Sequence, residues 1–135
     1  MIRKIQIAIY GLTTAYVLFL LGFAVWAYHA KHEMISGFFL ALGYPSYLVY
    51  PLAYLKLTAI LIIVTHRYND LRDMAYAAYF INMVMALVGH IEHGDAYGHA
   101  ALGAVCLVVS YLLGNKVRGR PARNLFGRFT DPKSV

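Results

Sequence analysis

Four apolar runs, each close to the length of a membrane span, dominate this chain and cover approximately residues 5–28, 46–65, 74–92 and 97–114. A helix of about 20 mostly apolar residues crosses a ~30 Å hydrocarbon layer, where the backbone must satisfy its own hydrogen bonds. Only 13% of the 135 residues are charged, against roughly 25% in soluble domains. The sequence therefore predicts an all-α fold, an integral membrane four-helix bundle.

A shorter apolar segment, residues 34–42, lies between the first two runs. It is too short to cross a membrane, so we expect it to lie in the interface or to re-enter the bundle as a cap. Residues 1–115 are predicted to form the transmembrane domain, and residues 116–135 a basic cytoplasmic tail. The single cysteine, Cys106, excludes an intrachain disulfide and a cysteine-based metal cluster.

Lysine and arginine predict the orientation, because cytoplasmic loops of membrane proteins carry them in excess. With a cytoplasmic N-terminus, ten of these cations fall on the inner side and one, Lys31, on the outer side. We therefore expect a multi-pass protein of the bacterial or archaeal plasma (inner) membrane with both termini in the cytoplasm. The basic tail suits attraction to anionic lipid. No nucleic-acid-binding fold accompanies the charge, so nucleic acid is not an expected partner.

Small and polar residues recur at helical spacing on three of the predicted helices, and such stripes are typical of the packed interior of a membrane bundle. They are Gly11, Thr14, Leu18, Gly22, Val25 and His29 in the first helix, Asn82, Ala86, Gly89 and His93 in the third, and His99, Gly103, Cys106, Ser110 and Gly114 in the fourth. Helix packing alone is a sufficient explanation for Gly11, Gly22, Gly103 and Ser110.

Lys56 interrupts the second apolar run about nine residues from its inner end, which places it roughly 13 Å deep at 1.5 Å per residue. A cation near the membrane midplane costs at least ~2.5 kcal/mol. Asn82 lies at a similar depth on the third helix and can accept a hydrogen bond from it. Two interpretations stay open: a polar lock between two helices, or a site that binds a ligand or a proton.

Five of the six histidines fall at the outer helix ends, namely His29, His32, His90, His93 and His99. Because His29, His93 and His99 continue the interior stripes, we expect them to face one another, with Glu92 beside them. Imidazole and carboxylate groups bind transition metals, and an imidazole pair can hold a haem. The alternative is that these histidines sit in the interface and hydrogen-bond the loops.

Residues 42–52, LGYPSYLVYPL, followed by Lys56, resemble the start of the second helix in the DoxX-like membrane proteins. Residues 74–80 and 89–95 resemble the third helix and the outer turn of that family. The resemblance implies that Lys56, His90 and Asp95 occupy its recurrent polar positions. The family commonly has a serine before the histidine and an acid near position 82, where this chain has Gly89 and Asn82. The resemblance therefore does not imply a lysine–carboxylate pair here.

The DoxX-like family takes its name from a subunit of an archaeal thiosulfate:quinone oxidoreductase. The polar bundle interior and the histidine cluster motivate the leading hypothesis, a membrane subunit or accessory protein of a redox process, with a quinone, haem or transition-metal site near the outer face. Lys56, Asn82, His90 and Asp95 are its candidate ligand-binding residues. A second hypothesis is a non-enzymatic module that assembles or stabilises a larger membrane complex. A third is a small-solute carrier, which would require an oligomer. The expected partners are the lipid bilayer and either another membrane protein or a second copy of the chain.

Overall fold

The computed structural model describes residues 1–119, and within them the chain forms five α-helices and no strand. The helices are α1 (Ile2–Ala30), α2 (His32–Ala41), α3 (Val49–Thr65), α4 (Asn69–His93) and α5 (Gly98–Val117), with a 3₁₀ turn at Ser46–Leu48 that leads into α3. Four segments are long and apolar enough to cross a membrane: Ile2–Ala30, Ser46–Thr65, Asn69–His93 and Gly98–Val117. The predicted all-α, multi-pass membrane bundle is confirmed. The part of the predicted basic tail beyond residue 119 lies outside the described residues.

The four long helices pack as a square in which α1 and α4 occupy opposite corners, each between α3 and α5. The core at their centre includes Val17, Leu21, Ile63 and Leu107, which are almost completely buried. Many other large apolar side chains point outward, among them Leu12 at 73% exposed. That distribution suits a bundle whose outer surface faces lipid rather than water.

The predicted interfacial segment is the short helix α2, which begins immediately after Lys31 at the end of α1. It lies across one end of the bundle and packs aromatic side chains onto its neighbours. Phe39 contacts Tyr28 of α1 with ring centroids 6.0 Å apart, and Phe38 contacts His93 of α4 at 5.0 Å. We call this end the capped end. The opposite end, where α1 begins and α5 ends, is called the basic end.

The helices extend further into polar sequence than the apolar runs indicated. Helix α4, which contains the third predicted span, begins at Asn69 rather than near residue 74. Arg72 therefore lies inside a helix and is only 2% exposed. The sequence had placed Arg72 in a cytoplasmic loop. A hydropathy pattern identifies only the residues that can face lipid. The helix itself extends beyond them wherever its polar side chains and its end groups have hydrogen-bond partners.

The predicted interior face is right for the middle and end of α5 but not at its first turn, where His99 is exposed, and it is only partly right for α1. Gly103, Ser110 and Gly114 of α5 are buried as expected. In α1 the buried residues include Val17 and Leu21. Gly11 is exposed instead, with open space where a side chain would begin.

Candidate functional site

Lys56 lies in α3 and is buried, with 6% of its surface exposed. Its Nζ donates a hydrogen bond to Tyr28 Oη of α1 at 3.3 Å and lies 4.6 Å from the centre of the Tyr28 ring. A buried cation needs such partners, because leaving water without them is costly. The expected partner Asn82 is half-buried on α4. Within residues 1–119, Lys56 donates its hydrogen bond to Tyr28 and not to Asn82.

Two aromatic side chains extend this site. Tyr79 of α4 is 3% exposed, and its hydroxyl has no hydrogen-bond partner among the described residues. The hydroxyl is close enough to Tyr28 and Tyr16 to interact with them electrostatically. Phe39 of α2 meets Tyr28 in an edge-to-face arrangement, with ring centroids 6.0 Å apart. We call Lys56, Tyr28, Tyr79 and Phe39 the lysine site.

The lysine site has more hydrogen-bond donors than it uses. An ammonium group has three N–H donors and no acceptor, and Lys56 uses one of them on Tyr28. Within residues 1–119 no carboxylate forms a salt bridge with Lys56. A buried group that lacks a partner carries a desolvation cost, which a ligand with acceptor oxygens can remove. The chemistry of the site therefore suits a neutral or anionic acceptor.

The histidines of the capped end form two groups rather than one. His29 donates from Nδ1 to the Val25 carbonyl at 2.8 Å, and its ring lies 5.7 Å from that of Tyr50. His32 stacks on Tyr50 at 4.3 Å. In the second group, centred on His90, the ring lies 4.8 Å from that of His99 and Nδ1 lies 3.9 Å from Asp95 Oδ2.

No group of three or more His, Cys, Asp or Glu side chains within residues 1–119 is placed to hold a metal ion. The predicted metal set of His29, His93, His99 and Glu92 is therefore not brought together. The physical reason is that α1 and α4 stand at opposite corners of the bundle, with α2 packed across them at the capped end. His93 instead packs against Phe38, and Glu92 is exposed.

A haem finds no room between the two contacting histidines. The 4.8 Å separation of the His90 and His99 rings is the contact distance of an aromatic pair, roughly 4.5–7 Å. A porphyrin plane does not fit between rings that already touch. The structure also associates His90 with Asp95, His99 and Phe38 rather than with Lys56. Of the four candidate ligand-binding residues, Lys56 thus lies apart from His90 and Asp95, and Asn82 forms no hydrogen bond with either place among the described residues.

A buried polar network toward the basic end was not predicted from the sequence. Ser110 of α5 is fully buried and shares hydrogen bonds with Thr14 of α1 at 2.7 Å and with Tyr76 of α4 at 2.9 Å. Arg72 donates to Asn115 close by. Thr14 and Ser110 were predicted to face inward, but their partner Tyr76 carried no signal of its own, because tyrosine is equally common in the membrane interface.

Arg118 forms a second polar connection at the basic end. Its Nη2 donates to Tyr10 Oη of α1 and to His66 Nε2, each at 2.6 Å. Burial, with the positive charges of Arg118 and Arg72, lowers the pKa of His66. The imidazole is therefore neutral near pH 7 and able to accept from Arg118. His66, the one histidine that does not lie at the capped end, links the end of α3 to Arg118 at the end of α5.

These features define a class: a small multi-pass membrane protein with polar groups buried between its helices. The sequence model of the DoxX-like family matches residues 11–113, so the chain belongs to the DoxX-like family. Neither the curated proteins nor the solved structures gave a significant match.

Proposed function

We propose that this DoxX-like protein is a membrane subunit or accessory protein of a redox process, and that it binds the headgroup of a quinone at the lysine site. The observation that carries the proposal is Lys56, a cation 6% exposed between apolar helices and hydrogen-bonded only to the hydroxyl of Tyr28 among the described residues. Ionisable side chains are rare within membrane spans because they are costly, and those that occur commonly mark a binding site or pathway.

The donor set of the lysine site fits a quinone. A quinone offers two carbonyl oxygens, which accept hydrogen bonds, on a flat ring that can lie against aromatic side chains. The Lys56 ammonium and the Tyr79 hydroxyl are the available donors, and Tyr28 positions Lys56. A bound quinone would supply two-electron, two-proton redox chemistry. Metal and haem find less support, since the histidines do not assemble into a suitable group.

We further propose that the basic end faces the cytoplasm of a bacterium or archaeon. Within residues 1–119 the basic end carries Arg3, Lys4, Arg67, Arg72, Lys116 and Arg118, whereas the capped end carries Lys31. Cytoplasmic segments are richer in lysine and arginine, so this asymmetry supports that orientation. The lysine site would then lie toward the outer half of the membrane, beneath α2.

A second candidate function is a non-enzymatic assembly module. It is favoured by the contacts of Lys56 with both the hydroxyl and the ring of Tyr28, which can serve as a lock between α1 and α3. In this case Lys56 stabilises the bundle and binds nothing. The two candidates differ in whether a change at Lys56 alters ligand affinity or only stability.

The experiment measures the affinity of a short-chain ubiquinone and a short-chain menaquinone for the full chain in detergent. The variant is Lys56→Met, which keeps the length of the side chain and removes its charge. Replacing a buried ion by an apolar side chain of similar volume is often tolerated. The control is Lys31→Met, because Lys31 is an exposed lysine at the capped end.

We expect saturable quinone binding by the unmodified chain. A hydrogen bond from a charged donor is worth about 1.5–3 kcal/mol, so Lys56→Met should weaken binding roughly 10-fold to 150-fold. Lys31→Met should bind as the unmodified chain does. Equal affinity in all three proteins, or no saturable binding by a monodisperse unmodified chain, would refute the quinone site. A Lys56→Met protein that loses stability without any ligand effect would favour the assembly module.

A further inference from the structure

An open groove lies at the basic end between the first turn of α1 and the last turn of α5. Its volume is about 620 Å³. It is lined by Ile2, Arg3 and Gln6 of α1, and by Lys116 and Val117 of α5 with Arg118 and Gly119, which follow α5. Ligand pockets in proteins commonly have volumes of about 300–1,000 Å³. The groove is therefore large enough for a small polar group.

The groove is strongly positive. Three of its lining residues, Arg3, Lys116 and Arg118, are cations, and no aspartate or glutamate is among the described residues that line it. The first turn of α1 contains no acidic residue, so the positive end of that helix dipole adds to the charge. The Gln6 side chain supplies an amide N–H donor. The occupant that this set recognises is an anion with several oxygens.

The Arg118 side chain is held in place by hydrogen bonds within the protein. Arg118 Nη2 donates to Tyr10 and to His66 at 2.6 Å each. These bonds connect α5 to α1 and to the end of α3. Because one nitrogen makes both bonds, the other N–H groups of the guanidinium remain able to donate, and a fixed guanidinium loses little entropy when it binds an oxyanion.

The position of the groove identifies the source of the anion. It is built from the ends of two membrane-spanning helices, Ile2–Ala30 and Gly98–Val117. Helix ends lie at the level of the lipid headgroups, and the apolar side chains of Ile2 and Val117 lie beside the cations. Basic pockets between helices at this level suit anionic phospholipid headgroups. A soluble macromolecule would not fit a cleft of this size.

We propose that this groove binds the phosphate group of an anionic phospholipid, so that one lipid molecule bridges α1 and α5. This site is independent of the lysine site, which lies toward the other end of the bundle. It also differs from general attraction between a basic surface and the membrane, because it requires the particular cations that line the groove.

The test is native mass spectrometry of the full chain, titrated with phosphatidylglycerol and with phosphatidylcholine of identical acyl chains. The variant Arg3→Gln/Lys116→Gln removes two groove cations. The matched control, Lys4→Gln/Arg67→Gln, removes two exposed cations from the same end that do not line the groove. Both variants therefore change the net charge equally. A third arm repeats the phosphatidylglycerol titration in excess inorganic phosphate.

We expect phosphatidylglycerol to bind at least about tenfold more tightly than phosphatidylcholine. At about 1 kcal/mol for each cation, the groove variant should weaken phosphatidylglycerol binding roughly tenfold to 30-fold, and the control by less than about threefold. Equal binding of the two lipids would overturn the proposal. An equal loss in both double variants would show general surface attraction instead, and displacement by inorganic phosphate would show a site for a free anion rather than for lipid.

Discussion

The replacement Gly114→Ala tests the close packing of α5 on α1. A methyl group added at Gly114 would lie 2.8 Å from Tyr10 Cε2, whereas carbon atoms rest at roughly 3.5–4.0 Å. The Tyr10 ring is rigid, and its hydroxyl is held by Arg118 at 2.6 Å, so it cannot turn away without losing that bond. The matched control is Gly11→Ala, because no atom lies within 4 Å of the position a Gly11 methyl would take.

The two substitutions share one energetic term and differ in another. Alanine is favoured over glycine in a helix by up to ~1 kcal/mol, which applies to both. Forcing extra volume into a packed contact costs about 1–3 kcal/mol, which applies only at Gly114. The Gly114→Ala protein should therefore be about 1–3 kcal/mol less stable than the Gly11→Ala protein. Gly11→Ala itself should equal or slightly exceed the unmodified chain.

The assay is reversible unfolding in mixed micelles with increasing dodecyl sulfate, followed by circular dichroism. Both variants and the unmodified chain are compared at the same detergent composition. If Gly114→Ala proves as stable as Gly11→Ala, the reasoning is refuted, because the structure would then have placed the wrong face of α5 against α1.

Three further outcomes are expected. Ser110→Ala removes two interhelical hydrogen bonds; at ~0.6 kcal/mol on average and ~1.7 at most for each, the same unfolding assay should show a loss of about 1–3 kcal/mol. The lowered pKa of His66 means that the unfolded chain binds a proton more readily, so stability should fall as the pH drops through about 6.5 and below. Melting midpoints between pH 8 and pH 5 should show a shallower decline for His66→Gln, and identical slopes would contradict this origin. Tyr79→Phe removes a buried hydroxyl without a partner, so the apo protein should be at least as stable while quinone affinity falls; unchanged affinity would remove Tyr79 from the site.

Fold class could be predicted because the bilayer imposes a length and a polarity on every helix that crosses it. The four apolar runs match the four spans, and residues 34–42 match the cap formed by α2. The start of α4 could not be predicted, because Asn69 to Asp73 is polar and hydropathy excludes such residues from a span. The helix nevertheless continues there, where Arg72 bonds to Asn115 of α5.

The candidate site could be predicted only in part. Lys56 could be predicted as a site residue because a charged side chain within an apolar span is costly, whichever way the helix is oriented in the bundle. Its partner Tyr28 could not be predicted. The small residues of α1 indicated one inward face for that helix, whereas the structure buries Val17 and Leu21. The grouping of the histidines could not be predicted either. Helical spacing placed them at one end of the bundle, but it does not show that α2 packs across the ends of α1 and α4 there.

Photolabelling with an azido-quinone tests the central claim most directly, because it reports where the headgroup lies. The full chain in detergent is labelled, digested and mapped by mass spectrometry, in parallel with Lys56→Met. The account predicts labels on the peptides that contain Lys56, Tyr28 or Tyr79, with a marked loss of label in the variant. Labels spread along the lipid-facing surfaces, or equal labelling of the two proteins, would contradict it.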